Sequence, residues 1–142
     1  MDRNRLSRVL GIDYGERRIG LALSDPMRII AKPLKIIDRK KTIDYISEIL
    51  NISEEKKANI IVVGLPLTLR GKKSKQTEVV QKFIEKLTQL GTIPVVPVDE
   101  RLSTIAAIKS LQEQGVKTGH AKGRVDETAA AIILQEYLDS QS

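Results

Sequence analysis

The segment Ile60-Ile61-Val62-Val63 constrains the fold more than any other part of the chain. Four consecutive β-branched residues leave no polar face, so a strand made from them must be covered on both sides. The flanking segments supply covers at helical spacing: Ile43, Ile46, Ile49 and Leu50 before it, and Val80, Phe83, Ile84, Leu87 and Leu90 after it. Gly91 is suited to stop the second helix. A further short apolar strand follows at 93–98. This order reads as parallel strands joined by helical crossovers.

The first third of the chain has a different rhythm. Apolar runs at 9–14 and 19–23 are separated by Gly15-Glu16-Arg17-Arg18, a break short enough for a hairpin. Residues 29–37 read as a third strand, and Pro33 assigns it to an edge because proline cannot donate to a ladder. Towards the other end, Ser103 can cap a helix running to about 114, ended by Gly115. After a polar loop to Gly123, the last helix repeats Ala129, Ile133, Tyr137 and Ala130, Leu134, Leu138 at i, i+4. The expected order is β-β-β-α-β-α-β-α-α, an α/β fold with a mixed five-stranded sheet and helices on both faces. No shift of composition marks a linker, so residues 1–142 are read as one domain.

Charge and composition narrow the function. Lys and Arg number 24 against 18 Asp and Glu, a net charge of +6 and a pI near 9.6, which favours a polyanionic partner. There is no Cys, which excludes disulfides, thiolate metal sites and a thiol nucleophile. No apolar run approaches the roughly 18–20 residues of a membrane span. The basic N-terminus is followed by a stretch broken at once by Asp13, Glu16, Arg17 and Arg18, unlike a signal peptide. A cytoplasmic protein without a membrane partner is expected. With one Phe, three Tyr and no Trp, the chain is poorly equipped to bind single strands by base stacking. Backbone contacts to structured nucleic acid fit better.

Three acids stand out against this background. Asp13 interrupts the apolar run 9–14, and a buried carboxylate is costly unless it is hydrogen-bonded or binds a cation. Gly11 and Gly15 flank it and would let a ligand or backbone approach closely. Asp99 and Glu100 follow the strand at 93–98, at the end where open α/β sheets present their ligand sites. Alternation along a strand points the two in opposite directions, so only one can join a common site. Asp99 could equally cap a helix. Asp126 and Glu127 open the last helix, where acids also occur simply because they complement the helix dipole. About 100° apart on the helix, only one of the two can face the other acids.

Like charges gathered at short range repel, so such a cluster calls for a cation. A hard ion such as Mg²⁺ takes carboxylate oxygens, waters and substrate phosphate oxygens. Two such ions about 3.5–4 Å apart support in-line phosphoryl displacement without Cys or His. Basic residues lie in loops that could border the same centre: Arg17 and Arg18; Arg70, Lys72, Lys73 and Lys75; Arg101; and Lys117, Lys122 and Arg124 ahead of Asp126. Each cluster alone could be a solvated loop. His120, the only histidine, fits a surface loop better than a proton-transfer role.

Four segments together resemble the YqgF/RuvX family. They are Gly11-Ile12-Asp13-Tyr14-Gly15 with Arg18-Ile19-Gly20-Leu21-Ala22 and Ser24-Asp25; Val62-Val63-Gly64-Leu65-Pro66-Leu67; Asp99-Glu100-Arg101-Leu102-Ser103-Thr104; and Asp126 followed by residues 129–135. They occur in family order and span nearly the whole chain. The resemblance implies an RNase H-like fold, Mg²⁺ or Mn²⁺ as cofactor, and maturation of the 5′ end of pre-16S ribosomal RNA, or resolution of four-way DNA junctions. It implies Asp13, Glu100 and Asp126 as catalytic and metal-binding acids, choosing Glu100 over Asp99. Nucleic-acid contacts are expected from Arg17, Arg18, Arg70, Lys72, Lys73, Arg101, Lys122 and Arg124. One departure is that Thr68-Leu69-Arg70 replaces the family's usual Asn and acid, making this loop more basic.

An RNA precursor, in isolation or within a ribosomal precursor particle, is expected ahead of a DNA junction. The chain could act as a monomer or a homodimer; junction resolution would require a symmetric dimer. An actin-like ATPase shares a similar opening hairpin but needs two such domains to close over a nucleotide. A non-catalytic assembly or transcription factor on the same fold is the other competing reading, against which stands the presence of all three acids.

Overall fold

The computed structural model describes residues 7–68, 70–100 and 122–141, with side chains in the last stretch described from 129. Five strands form one sheet: β1 (Arg8–Tyr14), β2 (Arg18–Ser24), β3 (Ala31–Asp38), β4 (Ala58–Leu65) and β5 (Val95–Asp99). Their spatial order is β3-β2-β1-β4-β5. β1–β2 and β2–β3 pair antiparallel, whereas β1–β4 and β4–β5 pair parallel. The helices are α1 (Tyr45–Glu55), α2 (Lys75–Leu90) and α3 (Lys122–Gln141). The helix expected from Ser103 to about 114 lies outside the described residues. Among the described residues, no helix is long and apolar enough to cross a membrane.

β4 supplies the doubly covered strand that its sequence demands. Ile61, Val62 and Val63 are fully buried. Alternation sends Ile61 and Val63 to one face with Leu10, Ile12, Tyr14, Ile19 and Leu21, where α1 adds Ile46 and Ile49 and α2 adds Val80, Phe83 and Leu87. Val62 goes to the other face with Val9 and Ala22, against Ala129, Ala130, Ile133, Leu134 and Leu138 of α3. Helices therefore cover both faces, as expected. β3 is an outer strand, which accommodates Pro33, and exposed Lys32 and Lys35 keep that edge charged.

Local signals fix the helix ends, with two corrections. Ile43 belongs to the apolar spacing of the first helix but is 91% exposed and lies before it. Asp44 caps α1 instead, accepting from the Ser47 backbone N–H at 3.2 Å and its hydroxyl at 2.9 Å. Ile29 and Ile30, expected in the third strand, are exposed in the β2–β3 loop. Backbone donors there are already engaged, because the Asp25 carboxylate accepts the N–H groups of Met27, Ile29 and Ile30. These bonds, that from Ile30 foremost, hold the Asp25 carboxyl below its ordinary range. Ser74 caps α2 through a capping box with Thr77, and the Thr77 hydroxyl also donates to the Pro66 carbonyl.

Gly11 has a different use from the one expected. A Cβ there would sit 2.7 Å from the Leu134 Cβ and 3.2 Å from the Ala130 carbonyl oxygen, so the glycine admits α3 rather than a ligand. Gly91 does end α2, with an extended backbone (φ −102°, ψ 176°) in place of a left-handed cap.

Candidate active site

The carboxyl ends of the parallel strands β1, β4 and β5 lie side by side at one end of the sheet. Asp13 is the penultimate residue of β1 and is only 7% exposed. Leu10, Ile12 and Tyr14 face α1 and α2, so alternation sends Asp13 to the α3 face. Its partner on β2 is Gly20, which leaves the space beside the carboxylate unfilled on that strand. Continuing the β1–β4 register one step beyond Ile12↔Val63 brings Gly64 alongside Asp13.

Glu100 reaches the same place from the far side of β4. It follows β5 directly, its N–H donates to the Leu65 carbonyl at 3.2 Å, and it is 5% exposed. A Cβ on Gly64 would lie 2.7 Å from Glu100 Oε2 and 2.5 Å from Ile133 Cδ1. Gly64 therefore keeps open the space in which the Glu100 carboxylate rests. Asp99 is exposed, so the two neighbouring acids part as the pleat requires, and the buried one is Glu100.

Asp126 lies in α3, but its side chain is outside the described residues. The helix begins at Lys122, so Asp126 is its fifth residue and does not open it. A helix dipole acts mainly on the first turn, which weakens the dipole as the reason for an acid at this position. Glu136, a half-buried acid on the same helix, was not anticipated. Burial, and then the charge of Glu100, push its carboxyl above the ordinary range. Its sequence signal is faint: an acid three residues after Ile133 and seven after Ala129, on the apolar stripe.

Among the described residues no group of three metal-capable side chains gathers. The described part still suits a hard divalent ion: two buried carboxylates on one face, with Gly64 between them giving the Glu100 carboxylate its space. Magnesium needs only one or two protein carboxylates, the remaining positions being water and substrate oxygen.

Basic residues frame this end of the sheet. Arg17 is exposed in the β1–β2 turn, whose closing bond runs from the Gly15 N–H to the Arg18 carbonyl at 2.9 Å. A Cβ on Gly15 would collide with that carbonyl oxygen. Arg18 shares the α3 face with Asp13, two positions before Gly20 on β2. After β4, Thr68 organises a tight turn: Gly71 N–H donates to its carbonyl (2.8 Å), its own N–H donates to the Lys72 carbonyl (3.0 Å), and its hydroxyl accepts from the Lys72 N–H (3.0 Å). Arg70, Lys72 and Lys73 are exposed on this turn. Arg101 and the side chains of Lys122 and Arg124 lie outside the described residues.

Behind Asp13, the opposite face carries an aromatic cluster that sequence reading missed. Tyr14 stacks on Phe83 with centroids 3.9 Å apart, and its hydroxyl shares a 2.8 Å hydrogen bond with that of Tyr45. The Arg39 guanidinium lies 4.7 Å from the Tyr14 ring centroid and 5.1 Å from that of Tyr45. Its Nη1 also donates to the carbonyls of Gly15 (3.0 Å) and Glu16 (2.8 Å). Arg39 thus ties the turn that follows Asp13 to the core.

Comparison with known proteins agrees with this architecture. A family model, RuvX, described as Holliday junction resolvase, matches residues 7–140. A Roseiflexus protein named "Putative pre-16S rRNA nuclease" is 44% identical over 134 residues, covering 94% of this chain and 95% of its own. A Chloroflexus aurantiacus protein of the same name is 43% identical over 133 residues, covering 94% of this chain and 87% of its own. Among solved structures, Thermus thermophilus RuvC in complex with a Holliday junction superposes with a TM-score of 0.56 at 15% identity, over 95% of each chain. That likeness concerns the fold, and the RNase H-like architecture expected from the sequence is the one adopted. The family match along nearly the whole chain, together with relatives of this identity and coverage, establishes that the chain belongs to the RuvX family.

Proposed function

We propose that the protein is a divalent-metal-dependent nuclease acting on structured RNA, with Asp13, Glu100 and Asp126 as its catalytic acids. The observation that carries the reading is the pair of buried carboxylates, Asp13 and Glu100, on one face at the carboxyl ends of β1 and β5 with Gly64 between them. The names of the relatives support pre-16S ribosomal RNA as substrate, and the resemblance read in the sequence adds its 5′ end as the place of cleavage. Helical spacing supports Asp126 as the third acid: position 126 precedes Ala130 and Ile133 by four and seven residues, on the stripe that meets the sheet.

In this reading Asp13 and Glu100 hold Mg²⁺ or Mn²⁺ through their carboxylate oxygens, and Asp126 completes the set. The bound ions supply an activated water and stabilise the leaving oxygen. The chain's own groups do the rest. Gly64 leaves room for the Glu100 carboxylate beside Asp13, and the sheet fixes the carboxylates so that little reorganisation is needed. Arg18, on the same face, draws in the scissile phosphate. Arg17 and the turn bearing Arg70, Lys72 and Lys73 hold neighbouring phosphates, with Arg101, Lys122 and Arg124 as further contacts.

The experiment incubates the protein with a precursor RNA spanning the 5′ end of 16S RNA and with a synthetic four-way DNA junction, each with Mg²⁺, Mn²⁺ or EDTA. Cleavage of the RNA that requires metal and disappears in Asp13→Asn is expected. The family description as a junction resolvase is the specific reason for the second substrate. Preferential junction cleavage would transfer the activity to DNA. Absence of cleavage of both would favour a binding role.

A further inference from the structure

At the acidic end of the sheet, the residues just after β3 form a turn whose backbone N–H groups are all engaged. Arg39 N–H donates to the Arg17 carbonyl at 2.9 Å, and Lys40 N–H donates to Asp38 Oδ1 at 2.9 Å. Lys41 and Thr42 N–H both donate to the Asp38 carbonyl, at 3.1 and 2.9 Å. The Arg39 side chain is committed inward, to the Tyr14 and Tyr45 rings and the carbonyls of Gly15 and Glu16. Lys40 and Lys41 are left exposed, and no ion pair among the described residues involves either of them or Arg17 or Arg18.

These cations form one cluster. β2–β3 pairing sets Arg18 opposite Asp38 on the α3 face, the face of Asp13 and Glu100. The Asp38 carboxyl is held below its ordinary range first by the Lys40 backbone bond and then by the charges of Arg17, Lys41 and Arg18, so all three lie within electrostatic reach of it. Asp38 and the exposed Glu16 are outnumbered by four cations that pair with no described residue, so the surface carries net positive charge. With adjacent strands ~4.8 Å apart, β3 lies roughly 10 Å from β1, so Lys40 and Lys41 border the acids without overlapping them, and Arg18 on β2 bridges the two.

We infer that Lys40 and Lys41, held in one rigid surface with Arg17 and Arg18, form a second phosphate-binding site for the backbone of a duplex segment flanking the cleaved bond. The inference rests on the nuclease reading for the identity of the ligand. Two features favour a nucleic-acid backbone over an acidic peptide. The surface is continuous with the face bearing the acids, and its exposed Arg17, Lys40 and Lys41 offer point charges of the kind that meet backbone phosphates. A rigid turn also loses little entropy when it meets a stiff helix of phosphates. Arg39 acts here as a positioning residue, joining the lysine turn to the hairpin that carries Asp13.

The test measures binding of a fluorescein-labelled 20-base-pair RNA duplex by anisotropy, in EDTA, across a salt series. It compares wild type, Lys40→Ala/Lys41→Ala, and a control of equal charge change on α2, Lys82→Ala/Lys86→Ala. The first pair should weaken binding about tenfold at fixed salt and lower the log–log salt slope by roughly 1–2, because two fewer counterions are released. The control should match wild type. A wild-type slope in the Lys40/Lys41 variant, an equal loss in the control, or no duplex binding by the wild type would each overturn the inference. Cleavage plays no part in this measurement. Wild-type protein that binds through Lys40 and Lys41 but cleaves nothing would refute the nuclease reading and keep the surface; cleavage with an unaltered salt slope would do the reverse.

Discussion

Asp13 and Tyr14 are neighbours on β1, yet they face two differently built halves of the molecule. Tyr14 enters a half made of large side chains: Leu10, Ile12, Ile19, Leu21, Ile61, Phe83 and Leu87 fill the space under α1 and α2. Asp13 enters a half richer in small ones, with Gly11, Gly20, Ala22 and Gly64 on the sheet and Ala129 and Ala130 on α3 beside Ile133, Leu134 and Leu138. Among the described residues, the large-residue face buries more apolar side chains and so contributes more to stability. The small-residue face draws α3 close and leaves room for carboxylates. One strand thus separates the part that holds the fold from the part that can hold charge. Arg39 links them, stacking on the aromatic side while hydrogen-bonding the turn that leads away from Asp13.

The comparison predicts its largest stability effect at Phe83, which is 3% exposed and stacked on Tyr14. Phe83→Ala should cost about 3–5 kcal/mol in urea unfolding. Asp13→Asn should leave the unfolding midpoint unchanged or raise it slightly, since it removes charge from the crowded acidic side. A large loss of stability in Asp13→Asn would erase the distinction between the halves.

A smaller effect separates two glycines of the acidic half. Gly11→Ala drives a methyl into the Leu134 Cβ and the Ala130 carbonyl, neither of which can swing aside. It should cost about 1–3 kcal/mol by overpacking, read as a lower melting temperature. Gly64→Ala meets only the far ends of Ile133 and Glu100, so it should cost less stability and instead displace the Glu100 carboxylate. Equal destabilisation by both would show that Gly64 serves packing alone.

The smallest effect is a matter of pH. Burial, and then the Tyr45 hydroxyl, push the Tyr14 phenol up to about 12, against the partly opposing charge of Arg39. A group whose folded value is raised contributes stability that is complete below its unfolded value near 10 and is lost as pH rises through about 12. Wild-type unfolding free energy should therefore fall more steeply than that of Tyr14→Phe between those values. Parallel pH profiles would contradict the buried Tyr14–Tyr45 pair.

Much of the fold is legible in the sequence because periodicity and burial are local signals. The doubly buried β4, the edge position of β3 with its proline, and the α3 stripe of Ala129, Ala130, Ile133 and Leu134 all follow from spacing alone. Ile43, Ile29 and Ile30 misled because an apolar residue beside an element looks like part of it, and Asp44 and Asp25 fix the true boundaries through hydrogen bonds. At the site, pleat alternation requires that Asp99 and Glu100 diverge, but which of them turns inward depends on the course of the chain after β5. The roles of Gly11 and Gly64 depend on which helix residue crosses each glycine. Arg39, Lys40 and Lys41 carry no local signal of a shared surface, because only the β2–β3 register brings them beside Arg17 and Arg18.

The central claim is that Asp13 and Glu100 act together on a divalent cation, and Mn²⁺ binding followed by electron paramagnetic resonance tests it without any substrate. Wild-type protein should show saturable Mn²⁺ binding, and Asp13→Asn and Glu100→Gln should each abolish it while the circular dichroism spectrum stays unchanged. Wild-type Mn²⁺ affinity in a folded Asp13→Asn protein would contradict the account.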